Sequence, residues 1–130
     1  MRRMVLLVAC VCGLWTAASA QSVQPPSESG MASWYGAPYH GQRSASGEIY
    51  DQEKLTAAHR TLPFGTRVRV RRPDRGGSVV VRINDRGPFV KSRVIDLSHA
   101  AAVQLGMTDG GVALVILEVV ETPPLNPRPL

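Results

Sequence analysis

The chain of 130 residues holds two cysteines, and both, Cys10 and Cys12, fall within its first twelve positions. From residue 13 onward there is neither a disulfide nor a thiol nucleophile, so a domain built from that stretch must rest on its apolar core. Aromatic residues are also scarce: two Trp, three Tyr and two Phe, 5% of the chain. So small a set offers few ring faces for base stacking, which argues against nucleic acid as a partner. The apolar stretch at the N-terminus is shorter than the roughly 20 residues a membrane span needs, and no span is expected once that segment is removed. The three histidines, His40, His59 and His99, show no ligand spacing with one another or with the carboxylates, so neither a metal nor another cofactor is expected.

What is present begins with a leader. Arg2-Arg3 precede an apolar segment from Met4 to Trp15 and a small-residue site, Ala18-Ser19-Ala20. That is the pattern of a secretory signal cleaved after Ala20, and it predicts an exported, periplasmic protein. A second reading takes Leu7-Val8-Ala9-Cys10 as a lipobox with Cys10 lipidated, but only about half of the usual apolar segment (roughly 7–15 residues) would then precede the cysteine. Residues 21–29 are polar with Pro25-Pro26 and are expected to be a flexible linker. Residues 122–130 carry Pro123, Pro124, Pro127 and Pro129 and are expected to be extended or disordered. A single domain over 30–121 lies between them, large enough for one modest core. The formal charge is +5, and all but two of the 15 basic residues are arginine. Such a balance suits a polyanionic surface such as a cell-wall polymer, and it equally suits plain solubility.

Within that domain the patterning is mainly β. Thr66 to Arg71 alternates, with Val68 and Val70 on one face and Arg67, Arg69 and Arg71 on the other. Pro73-Asp74-Arg75-Gly76-Gly77 reads as a turn, and Ser78 to Ile83 returns as its hairpin partner. Met31 to Tyr35 is a short candidate strand, and Gly111 to Val120 is a final apolar one. One helix is expected from His99 to Leu105, capped by Ser98 and stopped by Gly106. Several short strands with one small helix point to a closed or nearly closed β-barrel, which leaves no free strand edges.

The chemistry concentrates in Val81-Arg82-Ile83-Asn84-Asp85-Arg86-Gly87-Pro88-Phe89, where a β-branched run ends in Asn-Asp and Arg-Gly-Pro breaks the strand. Asp85 is thereby set at a strand end, where a loop can present it to substrate; it is equally well placed as an Asx turn residue. Arg86 would hold the carboxylate ionised if the two paired, and would leave it free to donate a proton if turned to substrate. Glu48, Asp51 and His59 are the other groups that could converge on it, each with a plainer role as surface, turn or hydrogen-bonded residue. Asp96 is read as a structural residue serving loop or helix-start amides. Trp34 and Tyr35 form an aromatic pair, one suited to the core and the other to stacking on a sugar ring. Carboxylates and a histidine without thiol or metal suit acid/base chemistry on a polar substrate.

The ordered segments Gly30-Met31-Ala32-Ser33-Trp34-Tyr35-Gly36, Ser46-Gly47-Glu48-Ile49-Tyr50-Asp51, Thr56-Ala57-Ala58-His59 through Thr66, Val80 through Phe89 and Ile95-Asp96-Leu97-Ser98 together resemble the rare lipoprotein A family, septal-ring lytic transglycosylases. The resemblance covers nearly the whole domain and implies a six-stranded double-psi β-barrel with one or two short helices. It implies endolytic cleavage of peptidoglycan between N-acetylmuramic acid and N-acetylglucosamine, leaving 1,6-anhydro ends, on peptide-poor strands. Carried over by position, the catalytic groups are Asp85, Glu48 and His59 with Asp51 close by, the acid being either Asp85 or Glu48. Tyr35 and Arg86, with Trp34 and Asn84, would bind glycan. Related endoglucanase barrels pair an aspartate matching Asp85 with a second one in the segment matching Ser33-Trp34-Tyr35. No carboxylate stands in that segment here, which favours anhydro formation over hydrolysis by an activated water. Longer members carry a further peptidoglycan-binding repeat, so septal recruitment is not implied for this chain. A monomer is expected, with peptidoglycan glycan strands as its partner and cell-division or cell-wall proteins as the further partners the resemblance implies. The alternative function is a non-catalytic, expansin-like wall-binding module, and a third is an inactive barrel serving a partner protein.

Overall fold

A computed structural model describes residues 27–123, with Gly13 alone ahead of them. The expected leader, the Cys10 lipobox and the proline-rich tail beyond Pro123 lie outside the described residues. Six strands are present: β1 (Ser27–Trp34), β2 (Thr56–Ala58), β3 (Arg67–Arg72), β4 (Gly77–Asp85), β5 (Arg93–Leu97) and β6 (Val112–Glu121). One α-helix, α1 (His99–Gln104), precedes β6, and a 3-10 helix, Ala37–Tyr39, follows β1. The strands close into a barrel in the order β1-β5-β2-β4-β3-β6. Among the described residues no helix is long and apolar enough to cross a membrane.

The alternation in β3 appears as expected: Val68 and Val70 are buried while Arg67, Arg69 and Arg71 face out. Its hairpin partner β4 pairs antiparallel from Arg67↔Arg82 to Arg72↔Gly77. Arg72 departs from the pattern. It is buried, and its guanidinium donates to the carbonyls of Leu105 (3.0 Å) and Gly106 (3.1 Å), satisfying the end of α1 from the barrel wall. The start of α1 is capped as the sequence predicts, Ser98 Oγ accepting from the Ala101 amide, and Gly106 takes φ +64 just past the end.

One boundary and two strands differ from expectation. β1 begins at Ser27, inside the expected linker, because Ser27 to Gly30 pair antiparallel with Glu118 to Val115 of β6. Gly30 is a close-approach position there: a Cβ on it would lie 2.5 Å from Val94 Cγ1. β2 and β5 are the strands that patterning did not reveal. β2 has only three residues, all buried, and β5 five, so neither is long enough to display a period.

These two short strands interlock the barrel. β5 pairs parallel with β1, β2 pairs parallel with β4, and β2 and β5 pair antiparallel with each other. The core they enclose includes Ala32, Ala57, Val68, Val70, Val81, Ile83, Ile95, Leu97, Val115 and Leu117. Full burial of each larger aliphatic among them contributes about 1.5–3 kcal/mol.

Candidate active site

The pairing of four adjacent strands brings one row of residues together. Ser33 of β1 is level with Asp96 of β5, Asp96 with Ala58 of β2, and Ala58 with Asp85 of β4. Ile95 and Leu97 fill the core, so alternation turns Asp96 to the opposite face of β5. Asp85 reaches the row through a bulge. Ala57 is level with Ile83 but Ala58 with Asp85, so Asn84 is accommodated as an additional residue. Asn84 is accordingly buried, 2% exposed, and Asp85 is aimed outward.

The row floors a cavity of about 290 Å³, whose lining includes Tyr35, Tyr50, Ala58, Asp85, Phe89 and Asp96. Asp85 Oδ1 accepts from the amides of Ala45 (2.9 Å) and Arg86 (2.8 Å), whereas Oδ2 takes no hydrogen bond among the described residues. The loop carrying Ala45 is fixed in turn by the Ser46 amide, which donates to the Asn84 carbonyl at 3.3 Å. Asp96 Oδ1 accepts from Ser33 Oγ and lies 3.5 Å from Arg93 Nε. Gly87 holds φ +131 against this group, a backbone region that favours glycine, and a Cβ there would come within 3.6 Å of Asp96 Oδ2. The Gly87-Pro88 peptide is cis.

Tyr35 stands beside both carboxylates. Burial first, then the charge of Asp85, followed by Tyr50 and Asp96, pushes its hydroxyl far above the ordinary tyrosine range. It therefore remains a neutral donor at any physiological pH. Its ring packs on Tyr50 (centroids 4.4 Å apart), whose hydroxyl donates to the Tyr35 carbonyl at 2.9 Å. Arg86 neither pairs with Asp85 nor projects freely to substrate. Its Nη1 donates to the carbonyls of Leu62 (2.8 Å) and His59 (3.2 Å), and its guanidinium lies 4.0 Å from the Phe64 ring centroid.

The other residues singled out from the sequence stand apart from this cavity. Glu48 is clasped by Arg82 of β4 through two hydrogen bonds, 2.7 and 2.6 Å, which hold its carboxyl below the ordinary range and keep it ionised. His59 is buried with both ring nitrogens engaged: Nδ1 accepts from the amides of Thr61 and Leu62, both at 3.1 Å, so Nε2 carries the proton and donates to Glu28 at 2.9 Å. Through its backbone amide, which donates to the Asp85 carbonyl at 3.2 Å, His59 supports the site from behind. Asp51 Oδ1 accepts from the Glu53 amide at 2.9 Å, an Asx turn. Trp34 packs against the core, its ring 5.3 Å from that of His99. Of the four residues carried over as catalytic, the structure puts Asp85 alone in the cavity wall, and of the four for glycan, Tyr35 and Arg86.

Asp96, expected to serve loop or helix-start amides, instead accepts from Ser33 Oγ and lines the cavity, the helix-start amide being bonded by Ser98. Sequence offers no carboxylate within Ser33-Trp34-Tyr35, yet the fold sets one against that segment from β5. The signal available in the chain was indirect: an acidic residue between the apolar Ile95 and Leu97, where alternation sends it to the face away from the core.

A family model described as lytic transglycolase matches residues 27–117. The probable endolytic peptidoglycan transglycosylase RlpA of Synechocystis sp. is 60% identical over 92 residues, which are 71% of this chain and 29% of that protein. The endolytic peptidoglycan transglycosylase RlpA of Vibrio cholerae is 52% identical over 103 residues, 78% of this chain and 39% of that one. The chain thus spans well under half the length of these curated relatives. Among solved structures, a Streptomyces papain inhibitor superposes with a TM-score of 0.61 at 24% identity, covering 74% of this chain and 96% of its own. The apo expansin of Clavibacter michiganensis gives 0.61 at 20% identity, covering 76% and 52%. At such identities these two structures speak to the shared barrel alone.

Proposed function

The chain belongs to the lytic transglycolase family of double-psi β-barrels, the family of the RlpA proteins, and on that premise we propose that it cleaves peptidoglycan endolytically between N-acetylmuramic acid and N-acetylglucosamine. The observation that carries this reading is the row Ser33, Asp96, Ala58, Asp85, which opens two carboxylates and a neutral tyrosine hydroxyl into one cavity. Asp85 is the acid. Its Oδ1 is anchored by two amides, and its Oδ2 is unencumbered and can carry the proton. Glu48, held ionised by Arg82, is unsuited to donate one.

In the reaction Asp85 protonates the glycosidic oxygen as the bond to the muramic anomeric carbon breaks. The muramic 6-hydroxyl then bonds to that carbon and its proton passes to Asp85, which restores the acid and leaves a 1,6-anhydro end. Asp96, braced by Ser33 and Arg93, faces the cavity where positive charge develops on the sugar. Tyr35 donates a hydrogen bond to substrate, and His59 and Glu48 hold the loops that aim Asp85. The leader supports export to the periplasm with cleavage after Ala20, and the preferred substrate is glycan stripped of stem peptides.

The test is digestion of peptide-free glycan strands followed by mass spectrometry. Wild type should release anhydro-muramyl products, and Asp85→Asn should release them roughly 10²–10⁴-fold more slowly while remaining folded. Undiminished anhydro product from Asp85→Asn would remove Asp85 from the acid role. Binding of sacculi by the wild type with no soluble product would favour the expansin-like binding module instead.

A further inference from the structure

Beside the catalytic cavity lies a second groove of about 300 Å³, lined by Arg60, Arg86, Gly87, Pro88, Phe89 and Lys91. Arg86 and Phe89 line both, so the two hollows adjoin at these side chains. Phe89 is 92% exposed, an unusual position for a phenylalanine in a chain with so few aromatics. Three cations border the groove, and among the described residues none of them has a carboxylate within ion-pair distance. Elsewhere Arg67, Arg69, Arg71, Arg72, Arg82 and Arg93 each face one, while among the described residues Arg43, Lys54 and Arg75, which share no such groove, do not. Two of the three are fixed by backbone. Arg60 donates to the carbonyls of Pro88 and Val90, and Arg86 to those of His59 and Leu62, so their charge is positioned without being neutralised. Lys91 is exposed and makes no side-chain hydrogen bond among the described residues. An aromatic face next to uncompensated, preplaced positive charge recognises a ring that bears an anionic arm.

We propose that this groove binds the free lactyl carboxylate of the muramic residue held at the cavity, with the sugar face against Phe89 and the carboxylate toward Lys91. The inference rests on the peptidoglycan reading above and deepens it. In strands that carry stem peptides, the lactyl carboxyl is tied up in an amide and has no charge. In stripped strands it is a free anion. The groove thus supplies a physical reason for selecting peptide-poor glycan: it rewards the charge that removal of the peptide exposes.

The experiment compares the full chain on two probes, peptide-free glycan strands and the same strands with lactyl carboxylates converted to neutral methylamides, at low salt. The charged strands should bind about tenfold more tightly, the scale of one well-placed charge-assisted contact. Lys91→Gln should lose most of that factor on charged strands and nothing on neutral ones, and Phe89→Ala should weaken both. Equal binding of the two probes by wild type would overturn the proposal. So would an equal loss on charged strands from Lys54→Gln, which removes the same charge elsewhere on the surface and would mark a general polyelectrolyte attraction. The catalytic reading is scored separately by anhydro product. Charge discrimination without cleavage retains the groove and rejects the reaction, whereas cleavage of both probes at equal rates retains the reaction and rejects the groove.

Discussion

Asp85 ends β4 and Glu48 reaches that strand from the loop before β2, yet their neighbours divide them. Asp85 faces amides and open cavity, and Glu48 faces a guanidinium. Asp85→Asn should therefore lower the rate by the roughly 10²–10⁴-fold expected of a lost general acid, measured as anhydro product per unit time. Glu48→Gln should slow turnover while leaving product measurable, because it loosens the loop that bears Ala45 without removing the acid. The same pair has a pH signature. Glu48's folded-state value lies below its ordinary 4.5, so its contribution to stability is present above that value and is lost as pH falls through the lowered one. Thermal melts of the wild type should lose stability in that acid window, and Glu48→Gln should flatten the loss; identical acid slopes would show that the pair adds nothing. At this scale the sequence was informative about Asp85, because a strand end followed by Arg-Gly-Pro is a local signal. Asp96 was legible only indirectly, because its place beside the cavity arises from pairing with Ser33, 63 residues away.

Elements settle where those side chains point. The bulge at Asn84 and the tight passage at Gly87 together deliver Asp85 and Asp96 to one face. Gly87→Ala would force a side chain into the strained φ +131 conformation beside Asp96, so it should reduce both melting temperature and turnover. The N-cap of α1 is separable from the chemistry. Ser98→Ala should cost about 1 kcal/mol, seen as a drop of roughly 4–8 °C in melting temperature for a domain of this size, with product chemistry unchanged. The hairpin β3–β4 and α1 were legible because period and capping are local properties. β2 and β5 were not, since three and five residues buried within a barrel display no alternation, and their identity as strands depends on partners distant in the chain.

For the whole molecule, closure of the barrel makes the site a consequence of topology. The parallel pairs β1–β5 and β2–β4, joined through β2–β5, set four strand ends side by side, so the carboxylate pair needs no mobile element to assemble it. Family resemblance indicated this barrel before its register could be known, and the register in turn supplied the second carboxylate that the sequence lacked near Trp34. That addition bears on the chemistry, since two carboxylates in one cavity could also activate a water. The central claim, that the muramic 6-hydroxyl and not water takes the anomeric carbon, is tested most directly by digesting peptide-free glycan in 18O-labelled water and weighing the products. Anhydro-muramyl ends free of the heavy isotope are the predicted result, and reducing ends carrying one 18O atom would contradict it.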